Sequence, residues 1–150
     1  MTPSARQMWG RYRACHPYAP EAPYECFHFC DNREDADMCA DLVVSGIKRA
    51  TAASVAELEL SGMRQPVVGD VSIVTRWDGK AVAVIRTTHV EIRRLDDVDE
   101  AFAMREGEGD KTLAWWRQAH EAYYRRALAG SGITVDGDLL IVCEQFELAL

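Results

Sequence analysis

A chain of 150 residues, 48% apolar and 27% charged, has the length and composition of one ordinary globular domain, able to bury a core without staples. Its 17 Lys and Arg against 24 Asp and Glu give a formal charge of −7, which excludes a generally basic nucleic-acid coat but leaves room for a local basic patch. No run approaches the roughly 20 apolar residues of a membrane helix, and an N-terminus holding Arg6, Arg11 and Arg13 has no apolar stretch, so neither a span nor a signal peptide is expected.

Cys15, Cys26, Cys30, Cys39 and Cys143 are odd in number and lack C-x-x-C spacing, so reduced thiols in a cytoplasmic protein are expected. The expected organisation is a single domain over 1–150, with a helix and extended lead-in over 1–23 and the core over 24–150.

Met8, Tyr12 and Cys15 predict a short helix within Pro3 to Cys15, and Pro17, Pro20 and Pro23 predict extended chain after it. Tyr24 to Cys30 alternates as a strand does, with Tyr24, Cys26, His28 and Cys30 on one face and Phe27 and Phe29 on the other. Asp31 or Asn32 can cap the next helix, with Glu34 or Asp35 completing the box. Ala36, Cys39, Ala40 and Val43 are its apolar stripe, and Gly46 is its left-handed end. Ser54 and Glu57 form a second capping box, for a short helix to about Leu60 that Gly62 closes.

From Asp70 the pattern turns to strand. Val71, Ile73 and Thr75 alternate, Trp77-Asp78-Gly79-Lys80 turns, and Ala81 to Leu95 returns as a long β-branched run. Asp96 to Arg105 reads as a short acidic helix and Glu106 to Asp110 as a loop. Asp110 is the expected cap of the strongest helix, Lys111 to Leu128, with Leu113, Trp116, His120, Tyr123 and Ala127 on one stripe. Leu139 to Leu148 is the last strand. Strands through the middle and end with helices beside them predict an α+β fold with a small mixed sheet or open barrel.

Two segments stand out chemically. Ser45 to Thr51 brings a lysine and a hydroxyl, Lys48 and Thr51, onto an irregular turn after a helix. The plainer alternative is a surface lysine and a capping threonine. Glu106-Gly107-Glu108-Gly109-Asp110 alternates carboxylates with glycines just before a helix. The helix dipole accounts for Asp110 but not for the glycines, which allow close backbone approach. Cys26, His28 and Cys30 share a strand face but lack a fourth ligand, so no metal held by protein side chains alone is expected. His120 reads as a histidine at the edge of the core. The helix from Lys111 interleaves Lys111, Arg117, Arg125 and Arg126 with Trp115, Trp116, Tyr123 and Tyr124, which suits stacking on bases or simply a solvated basic face.

Gly46-x-Lys48-x-x-Thr51 resembles the G-x-K-x-x-T signature of the ASCH domain family. The likeness continues in matching order from about Tyr24 to the C-terminus, over Phe27-x-Phe29, Ala36-Asp37, Pro66-x-x-Gly69-Asp70, Val84 to Thr88, Glu106 to Asp110 and Trp116-Arg117-x-x-His120. It is similar to a bacterial subgroup of about this length. The chain departs from that subgroup at Cys30, where glycine is usual, at Arg49, where threonine is usual, and at Ala52-Ala53 in place of Ala-Ser.

The resemblance implies a PUA-like small β-barrel of about five to six strands flanked by helices, with a cleft beside the signature. It implies association with RNA or a modified nucleoside, with no DNA or membrane partner. Hydrolysis of RNA or of an N4-acetylcytidine-like amide is the implied activity, and a non-catalytic binding module is the alternative. The catalytic Lys, Thr and Glu of the amidohydrolase branch carry over to Lys48, Thr51 and Glu108, with Glu106 as the other candidate. Gly46, Arg49, Arg86, Glu106, Asp110, Trp116 and Arg117 are the expected substrate contacts. No cofactor is expected. Glu106, Glu108 and Asp110 would recruit Mg²⁺ or Mn²⁺ only in a ribonuclease, once phosphate is bound.

Two divisions of labour are open. In one, Thr51 attacks, Lys48 is the base and Glu108 shuttles the proton. A lysine with an ordinary pKa of about 10.4 must then fall about three units, costing roughly 4 kcal/mol, and a neighbouring carboxylate pushes it the other way. In the other, Lys48 stays charged and stabilises an oxyanion or phosphate while a carboxylate activates water.

Overall fold

The computed structural model describes residues 1–150. Helix α1 (Pro3–Cys15) is followed by β1 (Cys26–Phe27), α2 (Arg33–Val44), β2 (Ala50–Ser54) and α3 (Val55–Ser61). Strands β3 (Val71–Thr75) and β4 (Ala81–Arg94) come next, then a 3₁₀ turn at Leu95–Asp97, α4 (Glu100–Glu106), α5 (Leu113–Ala127) and β5 (Leu140–Leu148). The strands form one five-stranded sheet in the order β1-β3-β4-β5-β2, parallel only between β1 and β3. This is the expected α+β arrangement at the expected strand number. The sheet stays open, because β1 and β2 are its two edges and do not meet.

Burial follows the apolar patterns. Ala5, Trp9 and Tyr12 of α1 pack on Val71, Ile73, Ala81 and Val84, so the N-terminal helix shares the core of the sheet. Cys39, Ala40 and Val43 of α2 cover Val74, Ala83, Ile85 and Phe146. Phe102 and Ala103 of α4, and Trp116 and Tyr124 of α5, pack with Ala50, Ile141 and Cys143. Asn32 caps α2 by accepting from the Asp35 amide at 2.9 Å, and Ser54 and Glu57 form the full capping box of α3.

Several expectations change. The strand expected over Tyr24 to Cys30 pairs only at Cys26–Phe27, because the chain turns at Cys30, whose φ is 61°. Cys26, His28 and Cys30 therefore do not share a face. Cys26 lies against the α1 core, His28 tilts on the Trp77 ring at 4.7 Å, and Cys30 lies against the α2 core. Thr51 sits in strand β2, not on an irregular turn; the small residues of Ala50–Ser54 carry little strand signal, and β5 supplies the pairing. Glu106 belongs to the last turn of α4. Thr112, not Asp110, caps α5: Lys111 has a φ of 65°, and the Asp110 carboxylate is taken by the Thr112 amide and hydroxyl at 2.9 and 2.6 Å.

Ile73 is fully buried whereas Ile92 is 45% exposed on the far half of β4. Urea denaturation of Ile73→Ala should show a loss of about 2–5 kcal/mol, against less than about 0.5 for Ile92→Ala.

Candidate functional site

Gly46, at φ 86°, lets the chain reverse after α2, and the Ile47 and Lys48 amides then donate back to the Leu42 carbonyl at 2.9 and 3.0 Å. The Arg49 amide donates to the Arg105 carbonyl at 2.7 Å, and the Arg49 carbonyl accepts from Phe146 at 3.0 Å. Stitched between α4 and β5, the segment aims Lys48 inward, where it is 1% exposed. Gly107 presses on the same turn: a Cβ there would stand 2.9 Å from the Ile47 carbonyl oxygen, and its φ is 69°. Gly109 leaves room for the Trp115 ring, which a Cβ would meet at 2.2 Å. The alternation of glycine and glutamate thus lets the loop pass closely enough to present two carboxylates to one ammonium.

Lys48 Nζ lies 3.3 Å from Glu108 Oε1 and 3.6 Å from Glu106 Oε1, and 4.9 Å from the centre of the Phe29 ring. Glu106 is 1% exposed; its Oε2 accepts from the Trp116 indole and stands 3.0 Å from His120 Nε2. His120 Nδ1 lies 2.8 Å from the Trp116 carbonyl oxygen, so both ring nitrogens face acceptors and the imidazolium form satisfies both. Cys39 donates to Glu108 Oε1 at 2.7 Å and lies 3.7 Å from the Cys30 sulfur.

The charges set one another. Burial opposes the Lys48 ammonium, but Glu106 and Glu108 override it and hold its pKa above the ordinary lysine value. Burial also opposes the Glu106 carboxylate, yet His120 and Lys48 pull it down to about 2. His120, disfavoured as a cation by burial, is raised above 6.5 chiefly by Glu106. The partner thiol of Cys30 and burial push Cys39 well up, so it remains a donor. The two carboxylates thus favour the charged form of Lys48.

These groups open onto a cleft of about 840 Å³ that Lys48, Thr51, Glu106, Glu108, Trp115 and His120 help to line. Thr51 is the cross-strand partner of Glu144, so both side chains stand on the sheet face that floors the cleft. Burial raises Glu144, which accepts from the Thr87 hydroxyl at 2.6 Å. Burial and then Glu144 raise the nearby Glu25 to about 7.

Of the residues singled out from sequence, Lys48, Thr51, Glu106 and Glu108 share the cleft. The other expected substrate contacts, Gly46, Arg49, Arg86, Asp110, Trp116 and Arg117, do not line it. Gly46 and Arg49 shape the turn, with the Arg49 guanidinium near the Val43 and Lys48 carbonyls at 3.4 Å. Arg86 of β4 pairs with its exposed cross-strand neighbour Glu147 of β5, and Asp110 is occupied with Thr112. Trp116 reaches Glu106 from behind, and Arg117 donates to the Asp96 carbonyl at 2.7 Å. Cys39, Phe29, Glu25 and Glu144, none of them expected at the site, also line the cleft, as does His120, expected at the edge of the core. The signals for Phe29 and His120 are their places in Phe27-x-Phe29 and Trp116-Arg117-x-x-His120 and, for His120, the apolar stripe on α5. Among groups able to hold a cation, Glu106, Glu108 and His120 bring ligand atoms within 4.8 Å of one another.

An open mixed sheet flanked by helices, with a signature lysine buried at its cleft, defines a PUA-like α+β protein. The ASCH domain family model matches residues 25–149, and the chain belongs to that family. It is similar to the crystal structure of an ASCH domain from Lactobacillus crispatus JV V101, at 32% identity and a TM-score of 0.89 over 99% of this chain and 96% of that one. It is also similar to a protein of Enterococcus faecalis V583, at 30% identity and a TM-score of 0.89 over 99% of this chain and 89% of that one. No curated protein matches the chain. No helix is long and apolar enough to cross a membrane.

Replacing Glu106 by Ala leaves the buried His120 cation without its carboxylate and Lys48 with Glu108 alone, and should cost about 3–5 kcal/mol in urea denaturation. The pH profile of stability follows from three shifts. Glu106, lowered to about 2, stabilises fully above its ordinary 4.5 and loses this as pH falls toward 2. His120, raised above 6.5, stabilises fully below 6.5 and loses this as pH rises through its shifted value. Glu25, raised to about 7, stabilises fully below 4.5 and loses this as pH rises through 7, so thermal melts should peak near the lower end of the range between about 4.5 and 6.5. The alkaline decline should flatten in His120→Gln.

Proposed function

We infer that the cleft of this chain, a member of a family generally associated with RNA binding, takes a nucleoside. We propose that the chain is a cytoplasmic hydrolase that cleaves an N4-acetylcytidine-like amide on a modified nucleoside. The observation that carries this reading is the buried Lys48 ammonium flanked by Glu106 and Glu108 at the wall of an 840 Å³ cleft. Clefts of about 300–1,000 Å³ suit a small molecule. The free thiols suit a reducing compartment.

In this reading Glu108 is the base. Both oxygens of Glu106 are engaged, by Lys48 on one side and by Trp116 and His120 on the other. The Glu108 contacts all fall on Oε1, which leaves Oε2 for water. Glu108 takes a proton from the water that attacks the amide carbonyl carbon. The Lys48 ammonium, fixed before the reaction begins, stabilises the tetrahedral oxyanion. The Thr51 hydroxyl orients the acyl group from the sheet floor. Glu108 then returns the proton to the departing nitrogen, giving the free amine and a carboxylic acid that releases its own proton to solvent. Every step uses side chains alone, without a cofactor.

Incubation of the purified chain with N4-acetylcytidine should release cytidine and acetate, undiminished by EDTA. Lys48→Met and Glu108→Gln should each lower kcat/KM by about 10²–10³-fold. Turnover that survives both substitutions removes the assignment. Tight nucleoside binding without turnover identifies a binding module instead, and Mn²⁺-dependent cleavage of RNA identifies a ribonuclease.

Contact with a nucleic-acid strand should be electrostatically slight. Arg49, Arg86 and Arg117 face away from the cleft, and Arg126 at its rim is paired with Asp31 at 2.7 Å. The salt dependence of single-strand binding should therefore correspond to only about one or two released counterions, and a steeper slope would point to a basic surface elsewhere.

A further inference from the structure

Two thiols stand on the cleft wall beside the charged cluster, and the hydrolytic reading does not use them. Cys30 lies at the turn after β1, and Cys39 lies midway along α2. Their sulfurs are 3.7 Å apart, and Cys39 touches Glu108 Oε1 at 2.7 Å. The ligand atoms of Cys30, Cys39 and Glu108 all lie within 4.8 Å of one another.

Two thiolates on one tetrahedral zinc, each bound at about 2.3 Å, are held about 3.8 Å apart. The sulfur pair already has that spacing. A carboxylate oxygen on the same ion stands about 3.5 Å from each sulfur, so the Glu108 oxygen reaches its place by moving outward from Cys39 by about an ångström or less. Glu108 is on a loop between α4 and α5, where such a movement is easily accommodated.

The charges also balance. Two thiolates, one carboxylate and a divalent cation sum to −1, and the Lys48 ammonium stands 3.3 Å from that carboxylate. Glu106 and the His120 imidazolium neutralise one another separately at 3.0 Å. The backbone adds an independent sign, since Cys30 holds a φ of 61°, where glycine is less strained. A thiol is kept in a conformation that favours having no side chain.

We propose that Cys30, Cys39 and Glu108 form a site for a thiophilic divalent cation such as Zn²⁺, with its fourth position open to the cleft. Binding displaces one proton from each thiol to solvent, transfers no electrons and leaves Lys48 as the counter-ion. Because the ion draws charge from the Glu108 carboxylate and weakens it as a base, it acts on the proposed hydrolase as an inhibitor and not as its cofactor. Only that last consequence rests on the functional reading above.

The test is titration of the reduced full chain with Cd²⁺ or Co²⁺, read by the thiolate-to-metal charge-transfer band, with no substrate present. A band saturating at one equivalent is expected. Cys30→Gly and Cys39→Ser should each weaken binding at least 100-fold, while Cys15→Ser should leave it unchanged. Cys30→Gly removes the left-handed strain, so its loss of binding is not a folding defect; equal melting curves check this. Absence of the band, or its persistence in the Cys30→Gly/Cys39→Ser double variant, overturns the proposal. So does ready closure of a Cys30–Cys39 disulfide by peroxide in a protein that takes up no cation. Since the band is read without turnover, failure of the hydrolase reading leaves this result unaffected.

Discussion

Lys48 carries its charge into the interior, and four separate elements supply what that requires. Glu106 comes from the end of α4, Glu108 from the loop beyond it, His120 from α5, and the Phe29 ring from the turn after β1. An isolated buried ammonium would lose its proton or unfold the region around it. Here two carboxylates hold it charged, and the second cation, His120, balances the second carboxylate. Removing any member exposes the desolvation cost of the others, so the cluster is both a mechanical junction of the fold and a reservoir of fixed polarity at the cleft wall.

That polarity is available to chemistry because it is set before any substrate arrives. Oriented charges in a site shielded from water stabilise developing charge without reorganising at the moment of reaction. Glu106 is held by three partners and behaves as scaffolding. Glu108 is held on one oxygen and retains freedom on the other. The difference in role between two glutamates only two residues apart comes from the helix ending between them, at Gly107.

Much of the architecture was legible because it is locally encoded. Asn32 and Asp35, Ser54 and Glu57, and the glycines at 46, 62 and 79 mark element ends through chemistry confined to a few residues, and those boundaries hold. The unreadable parts depend on distant chain. Strand β2 is Ala-Thr-Ala-Ala-Ser, which acquires strand geometry from β5, and β1 shrinks to the two residues that β3 can pair. The site divides in the same way. Lys48, Thr51 and the acidic loop were visible through spacing and resemblance, whereas Cys39 and Glu144 read as ordinary stripe and strand residues until the fold carried them to the cleft. Arg86, Arg117 and Arg49 misled because a cation in sequence says nothing about whether a nearby acid or carbonyl already holds it; here Glu147, the Asp96 carbonyl and the end of α2 do.

The strand order carries a consequence for how the chain is made. β2 has one neighbour, β5, and Ala50 pairs with Gln145 near the other end of the chain. During synthesis the signature segment emerges well before β5 and has nothing to pair with until that strand follows. Through that interval Lys48 is in water, since its carboxylates lie on a later helix and loop. The hairpin of β3 and β4 can form while the chain is still growing, but the cleft cannot. Nascent protein therefore passes from a partly built sheet to a complete cleft only once β5 arrives.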